Sequence, residues 1–272
     1  MIQVYRADQE GLPANDRGLA YGDGLFETIL AEGPRAALLP WHLERLNRDA
    51  GRLGIPIFRG EIETLLTQAL ADFAGHYGGG RWILKVTLTR GAGGRGYRPD
   101  KHMEPNLLLV HAPAPPRPPV AGVTVDFSPV PLTVNPMLSG IKSLNRLEQV
   151  MAARELGGDL FEVLMSNAEG HVVEGTRTNL FVATEEGWLT PPQSTLAVAG
   201  VMRRVVLEHL WSAGEPVMEA PVTLEVLMSE RCKGVCLTNS VLGIVPVRNL
   251  AGQALPVDNR LSLLCGLSTE ME

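Results

Sequence analysis

The chain has 272 residues, 45% of them apolar, which is enough for a large core in one or two domains. A formal net charge of −6 argues against nucleic acid or an anionic membrane as a main partner, and no apolar run approaches the roughly 20 residues of a membrane helix. The opening Met1 to Asp8 lacks the basic and apolar regions of a secretory leader, and three cysteines (Cys232, Cys236, Cys265) without zinc spacing read as reduced thiols, so a cytoplasmic protein without a metal site is expected.

Residues 1 to 30 read as short extended segments, Ile2 to Tyr5 and Gly22 to Thr28, with turns at Gly11-Leu12-Pro13 and Asp16-Arg17-Gly18. A helix is predicted from Pro40, where Leu43, Leu46, Ala50 and Leu53 recur at spacings of three and four. A second covers Glu61 to Phe73. Trp82 to Arg90 reads as a strand with Leu84, Val86 and Leu88 on one face and Lys85 on the other. The run Gly91-Ala-Gly93-Gly-Arg-Gly96 satisfies G-x-G-x-x-G, yet Tyr97-Arg98-Pro99 and a strand from Asn106 follow it instead of a helix. A glycine-rich hairpin loop with two arginines is the better reading.

Five prolines fall within Ala112 to Pro119, a stiff connector. The expected organisation is therefore a domain over residues 1–112, a linker over 113–119 and a larger domain over 120–272. Beyond the linker come a strand (Val123 to Phe127), a hairpin (Phe161 to Met165 and His171 to Glu174) and a strand from Leu180 to Ala183. A helix opened by Gly200 follows, then a strand pair from Gly234 to Val247 with Thr238, Asn239 and Ser240 at its tip.

Lysine is scarce: the 24 basic residues include Lys85, Lys101, Lys142 and Lys233 alone. Lysine can lose its proton and attack a carbonyl where arginine cannot, so each is a candidate, although a solvated surface lysine fits the spacing as well. Lys142 stands just before a helix signal. Asn145 reads as its N-cap and Glu148 as the third helical position of a capping box, with Leu147, Val150, Met151 and Arg154 as a core-facing stripe. Ser139-Gly-Ile-Lys142 also fits the S-x-x-K pattern of serine acyl enzymes, whose partner motifs the chain lacks. A non-catalytic binding module is the other class these residues leave open.

The segment Asn135 to Gln149, with Gly-Ile-Lys-Ser-Leu-Asn-Arg-Leu-Glu-Gln, resembles the active-lysine segment of the aminodeoxychorismate lyases, a group of fold-type IV pyridoxal-phosphate enzymes. Arg17 to Thr28, His42-x-x-Arg45-Leu46, Thr89 to Tyr97, Glu174-x-x-x-x-Asn179-Leu-Phe and Gly200-Val-Met-Arg resemble segments of the same family. The resemblance implies a two-domain α/β and α+β fold, with a small N-terminal domain and a larger C-terminal one rich in β-strands. It implies pyridoxal 5'-phosphate carried on Lys142 and held by Glu174, Arg45, Asn179, Val201, Met202 and Ser240. Substrate would be met by Tyr21, Thr28, Arg90, Arg95 and Asn239. The implied reaction converts 4-amino-4-deoxychorismate to 4-aminobenzoate and pyruvate, a step of folate synthesis, in a cytoplasmic homodimer. The alternative is an aminotransferase for D-amino or branched-chain amino acids, which shares the cofactor kit.

Overall fold

The computed structural model describes residues 2–257, 260, 261, 263 and 264, so Cys265 lies outside the described residues. The chain divides into two compact units, Met1–Pro115 with Lys142–Asn145, and Pro116–Ile141 with the chain from Arg146 onward. Residues 142–145, which sequence alone assigns to the larger domain, group with the smaller unit.

The first unit contains β1 (Gln3–Arg6), α1 (Arg17–Tyr21), β2 (Gly24–Glu32), α2 (Leu39–Leu53), α3 (Arg59–Ala74), β3 (Arg81–Thr89) and β4 (Asn106–Pro113). Its sheet runs β1-β4-β3-β2. Trp82, Leu84, Val86 and Leu88 of β3 are fully buried, as are Leu43, Leu46 and Ala50 of α2 and Ile62, Leu66 and Phe73 of α3. Apolar alternation on the strand and a helical stripe on each helix thus supply the core. The opposite face of the sheet carries Phe26, Thr28 and Lys85, since Thr28 is the register partner of Lys85 and Phe26 that of Thr87.

Asp16 to Gly18, read as a turn, begins the short helix α1. The Asp16 carboxylate accepts from the Gly18 N–H at 2.7 Å and the Leu19 N–H at 3.3 Å, which caps the helix. The same fully buried carboxylate accepts from Thr89 Oγ1 at 2.6 Å and Asn106 Nδ2 at 2.7 Å, fastening α1 to β3 and β4. Arg17, also buried, donates to Asp23 and to the carbonyls of Gly96 and Tyr97, so the glycine-rich loop is docked on α1.

The lysine segment lies along the outer edge of β2. The Phe26 N–H donates to the Lys142 carbonyl at 3.1 Å and the Leu144 N–H to the Gly24 carbonyl at 3.0 Å, with Leu25 and Ser143 bridged antiparallel. This pairing satisfies an edge that would otherwise leave its backbone groups open.

The second unit contains β5 (Val123–Phe127), α4 (Leu147–Ala153), β6 (Leu160–Ser166), β7 (His171–Gly175), β8 (Asn179–Thr184), β9 (Gly187–Thr190), α5 (Val201–Ser212), β10 (Val217–Glu219), β11 (Val222–Thr223), α6 (Leu224–Met228), β12 (Gly234–Asn239), β13 (Gly243–Leu250) and β14 (Gln253–Ala254). Among the described residues its strands form one ten-stranded sheet in the order β10-β9-β8-β12-β13-β5-β6-β7-β11, with β14 against β13. Leu164, Val172, Leu180, Leu237 and Val245 belong to one core cluster, and Val163, Met165, Val173 and Ala152 to another.

The capping box expected at Asn145 does not form. Arg146 is the N-cap of α4, Asn145 Nδ2 donates to the Gly22 carbonyl, and Glu148 accepts from the Thr133 N–H. The expected core stripe is exposed, with Leu147 at 78% and Val150 and Met151 above half, while Gln149 and Ala152 point inward.

Asp16→Ala removes four accepted hydrogen bonds at a buried junction. It is expected to destabilise the fold by about 3 kcal/mol, since buried bonds to a charged group count for more than neutral ones. Urea unfolding measures this; an unchanged midpoint would show that the junction adds no net stability.

Candidate active site

In the first unit the Lys142 backbone is fixed on both sides. Its carbonyl accepts from Phe26, and its N–H donates to Asp49 Oδ2 at 3.3 Å. The side chain then places Nζ 4.1 Å from the centre of the Phe26 ring. Burial raises the Asp49 carboxyl above its ordinary value, against the opposing effects of Arg48 and the Lys142 N–H. Gly22 stands at φ 66°, and a Cβ there would meet Asn145 Oδ1 at 2.5 Å, so the turn before β2 and the end of the lysine segment fit together through a glycine.

Behind the sheet, Glu27 is buried between two residues of α2. It accepts from Arg45 Nε at 2.8 Å and from His42 Nδ1 at 2.7 Å. Burial by itself would raise the Glu27 carboxyl, but the charges of Arg45 and His42 hold it down to about 2. His42 is held below its ordinary value, first by burial and further by Arg45 and Lys142, while Glu27 pulls the other way. The neutral imidazole thus keeps its proton on Nδ1, facing the carboxylate.

In the second unit, Glu174 and Asn179 grip one residue from two sides. Glu174 Oε2 accepts from the Val198 N–H at 3.1 Å, and Asn179 Nδ2 donates to the Val198 carbonyl at 3.0 Å. Both are buried. Asn179 also fixes the start of α5: a Cβ at Gly200 would lie 2.1 Å from Asn179 Oδ1, so the N-cap position accepts glycine alone. No side chain caps α5, which leaves the N–H groups at Val201 and Met202 as an anion-binding end. Thr238, the register partner of Asn179, has a buried hydroxyl without a hydrogen-bond partner. An uncapped helix end, a glycine cradle and an orphaned hydroxyl suit a phosphate; a buried carboxylate suits a protonated ring nitrogen. These donors and acceptors fit pyridoxal phosphate.

The candidate substrate residues fare differently. Thr28 lies on the same sheet face as Phe26 and Lys85. Tyr21 accepts from the Gly96 N–H through its hydroxyl and packs edge-on to Tyr97, so it supports the glycine loop, on which Arg95 is exposed. Arg90 instead is a structural clamp: it donates twice to Asp23 and to the carbonyls of Leu53 and Gly54, closing the end of α2. Asn239 Oδ1 accepts from the Val241 and Leu242 N–H groups, which shapes the tip that carries Ser240. Lys85, remote from Lys142 in sequence, has its Nζ 6.0 Å from the same Phe26 ring.

Sequence reasoning missed Glu27, Asp49 and Glu162. The last accepts from Thr176 and Thr178 hydroxyls and from the Thr176 and Arg177 N–H groups, and so shapes the turn between Glu174 and Asn179. The available signal was a carboxylate inside an apolar strand, Phe161-Glu-Val-Leu-Met165.

Glu27→Gln leaves Arg45 buried beside a neutral partner and is expected to cost about 3–5 kcal/mol at neutral pH. The folded Glu27 carboxyl titrates near 2 against an ordinary 4.5, so its contribution is full above about pH 4.5 and is lost as pH falls towards 2. Denaturation of both proteins at pH 7 and pH 3 should show the gap narrowing in acid; a gap that stays constant would contradict the pairing.

The family described as amino-transferase class IV matches residues 24–250. The chain is 33% identical over 264 residues to the aminodeoxychorismate lyase of Vibrio harveyi, covering 95% of this chain and 94% of that protein. It is 32% identical to a putative branched-chain-amino-acid aminotransferase of Methanocaldococcus jannaschii, covering 88% and 83%. The crystal structure of 4-amino-4-deoxychorismate lyase from Pseudomonas aeruginosa superposes with a TM-score of 0.89 at 35% identity, covering 96% and 95% of the two chains. These matches show that the chain belongs to the amino-transferase class IV family.

Proposed function

We infer that this chain is an aminodeoxychorismate lyase that uses pyridoxal 5'-phosphate. The observation that carries the reading is Lys142 held at a fixed point by main-chain bonds to Phe26 and Asp49, in a chain whose lyase relatives match it nearly end to end. Lys142 supplies the amine that carries the cofactor. Glu174 takes the ring nitrogen, and Arg45, Val201, Met202 and Ser240 take the phosphate, with Asn179 holding Gly200 and Val198 in place.

When bound, pyridoxal phosphate supplies an electron sink for the pair left when a C–H bond beside a substrate nitrogen breaks. Lys142 Nζ takes that proton. Aminodeoxychorismate and its two products contain the same atoms, so the proton removed from the ring is returned to the departing three-carbon unit and no co-reactant is consumed. Arg95 and Thr28 are the proposed substrate contacts, with Tyr21 and Asn239 shaping the loops beside them.

The exposed apolar stripe of α4 supports a homodimer. The buried thiols of Cys232 and Cys236 support a reducing, cytoplasmic setting.

With aminodeoxychorismate made in situ, wild-type protein should release 4-aminobenzoate and pyruvate in equal amounts without any oxo acid, and Lys142→Ala should lose this by more than ~100-fold. Glutamate formed from 2-oxoglutarate and an amino acid, with no aminobenzoate, would move the assignment to an aminotransferase.

A further inference from the structure

Phe26 has no part in the chemistry above, yet it touches the reacting amine. Lys142 Nζ stands 4.1 Å from its ring centre, well within the roughly 6 Å over which an aromatic face attracts an ammonium. The ring cannot drift away from the lysine. The Phe26 N–H is bonded to the Lys142 carbonyl at 3.1 Å, and β2 is paired to β3 along its length, so ring and amine leave one junction of two backbones.

We propose that Phe26 is a positioning residue for Lys142, its ring face seating Nζ as the ammonium before cofactor capture and again after that nitrogen has taken a proton from substrate. This rests on Lys142 being the cofactor lysine. In the second situation the substrate C–H bond breaks, an N–H bond forms on Nζ, and the electron pair stays with the substrate. The aromatic face favours the charged product of that transfer over the neutral base. The same preference disfavours the neutral amine in the empty enzyme, so capture of the cofactor is slower at low pH than it would be without the ring.

Charged and titratable groups of the first unit surround this junction. Lys85 Nζ lies 6.0 Å from the same ring and opposes a second cation there. His42 is held neutral by burial, and the Arg45 charge is met by Glu27. Asp49 is paired with Arg48 and receives the Lys142 backbone N–H.

The test replaces Phe26 with 4-fluoro, 3,5-difluoro and 3,4,5-trifluorophenylalanine, which drain the ring face of electron density with little change of size. Cofactor-free protein is mixed with pyridoxal phosphate across a range of pH, and the rise of visible absorbance is followed. The rate reports the unprotonated fraction of the amine. Its pH midpoint is expected to fall stepwise with fluorination, by about half a pH unit for the full series. Phe26→Leu should shift it the same way, and Phe26→Trp should restore it. A midpoint that stays flat across the series, or rises, overturns the proposal. Lys142→Ala separates the two readings: if that variant captures cofactor as wild type does, the assignment of Lys142 has failed and the proposal falls with it, whereas loss of capture there with a flat fluorine series condemns the role of Phe26 alone.

Discussion

The structure depends on a short antiparallel pairing at the edge of one sheet. Two backbone hydrogen bonds, Phe26 N–H to Lys142 carbonyl and Leu144 N–H to Gly24 carbonyl, lay the lysine segment along β2, and Asp49 takes the remaining Lys142 N–H. A lysine side chain has four rotatable bonds, so where its nitrogen goes is decided largely by how well its backbone is held. Here the backbone is held on both sides, and the nitrogen comes to rest against an aromatic ring. Chemistry that needs an amine at one place begins from that constraint.

Around it, buried carboxylates do the local organising. Asp16 joins α1 to β3 and β4, Glu27 binds α2 to β2 through Arg45 and His42, and Glu162 shapes the turn that follows Glu174. Each oxygen removed from water is repaid by donors from a different segment, which is the condition for a buried charge to be tolerated. Such junctions also specify geometry, because a carboxylate accepts from directions that hydrophobic packing does not define. Glu174 belongs to this class: Val198 is gripped by it and by Asn179, and the grip leads directly to the glycine that opens α5.

Much of the fold was legible from periodicity. Leu43, Leu46 and Ala50 define α2, and Leu84, Val86 and Leu88 define the buried face of β3, because both patterns report a single large core. Local signals failed where tertiary bonds outcompeted them. Asn145 gives its amide to Gly22 and Glu148 its carboxylate to Thr133, so a sequence that spells a capping box makes none. The stripe Leu147, Val150, Met151 is real as a pattern but faces outward, since spacing identifies a face and not what covers it. Glu27 shares its face of β2 with Leu25, Ile29 and Ala31, so alternation puts a carboxylate on the core side, and it is tolerated there because α2 supplies Arg45 and His42 opposite. Family resemblance singled out Lys142 and Glu174, whereas spacing left Lys142 equal to any surface lysine. The same resemblance suggested Arg90 as a substrate residue; in the structure it donates to the carbonyls of Leu53 and Gly54, which end α2 and need donors.

The most direct test of the central claim is chemical. Protein loaded with pyridoxal phosphate is reduced with borohydride, digested, and mapped by mass spectrometry. The account predicts a single pyridoxyl label on the peptide containing Lys142; a label on Lys85, which lies beside the same phenyl ring, or no stable label at all, would contradict it.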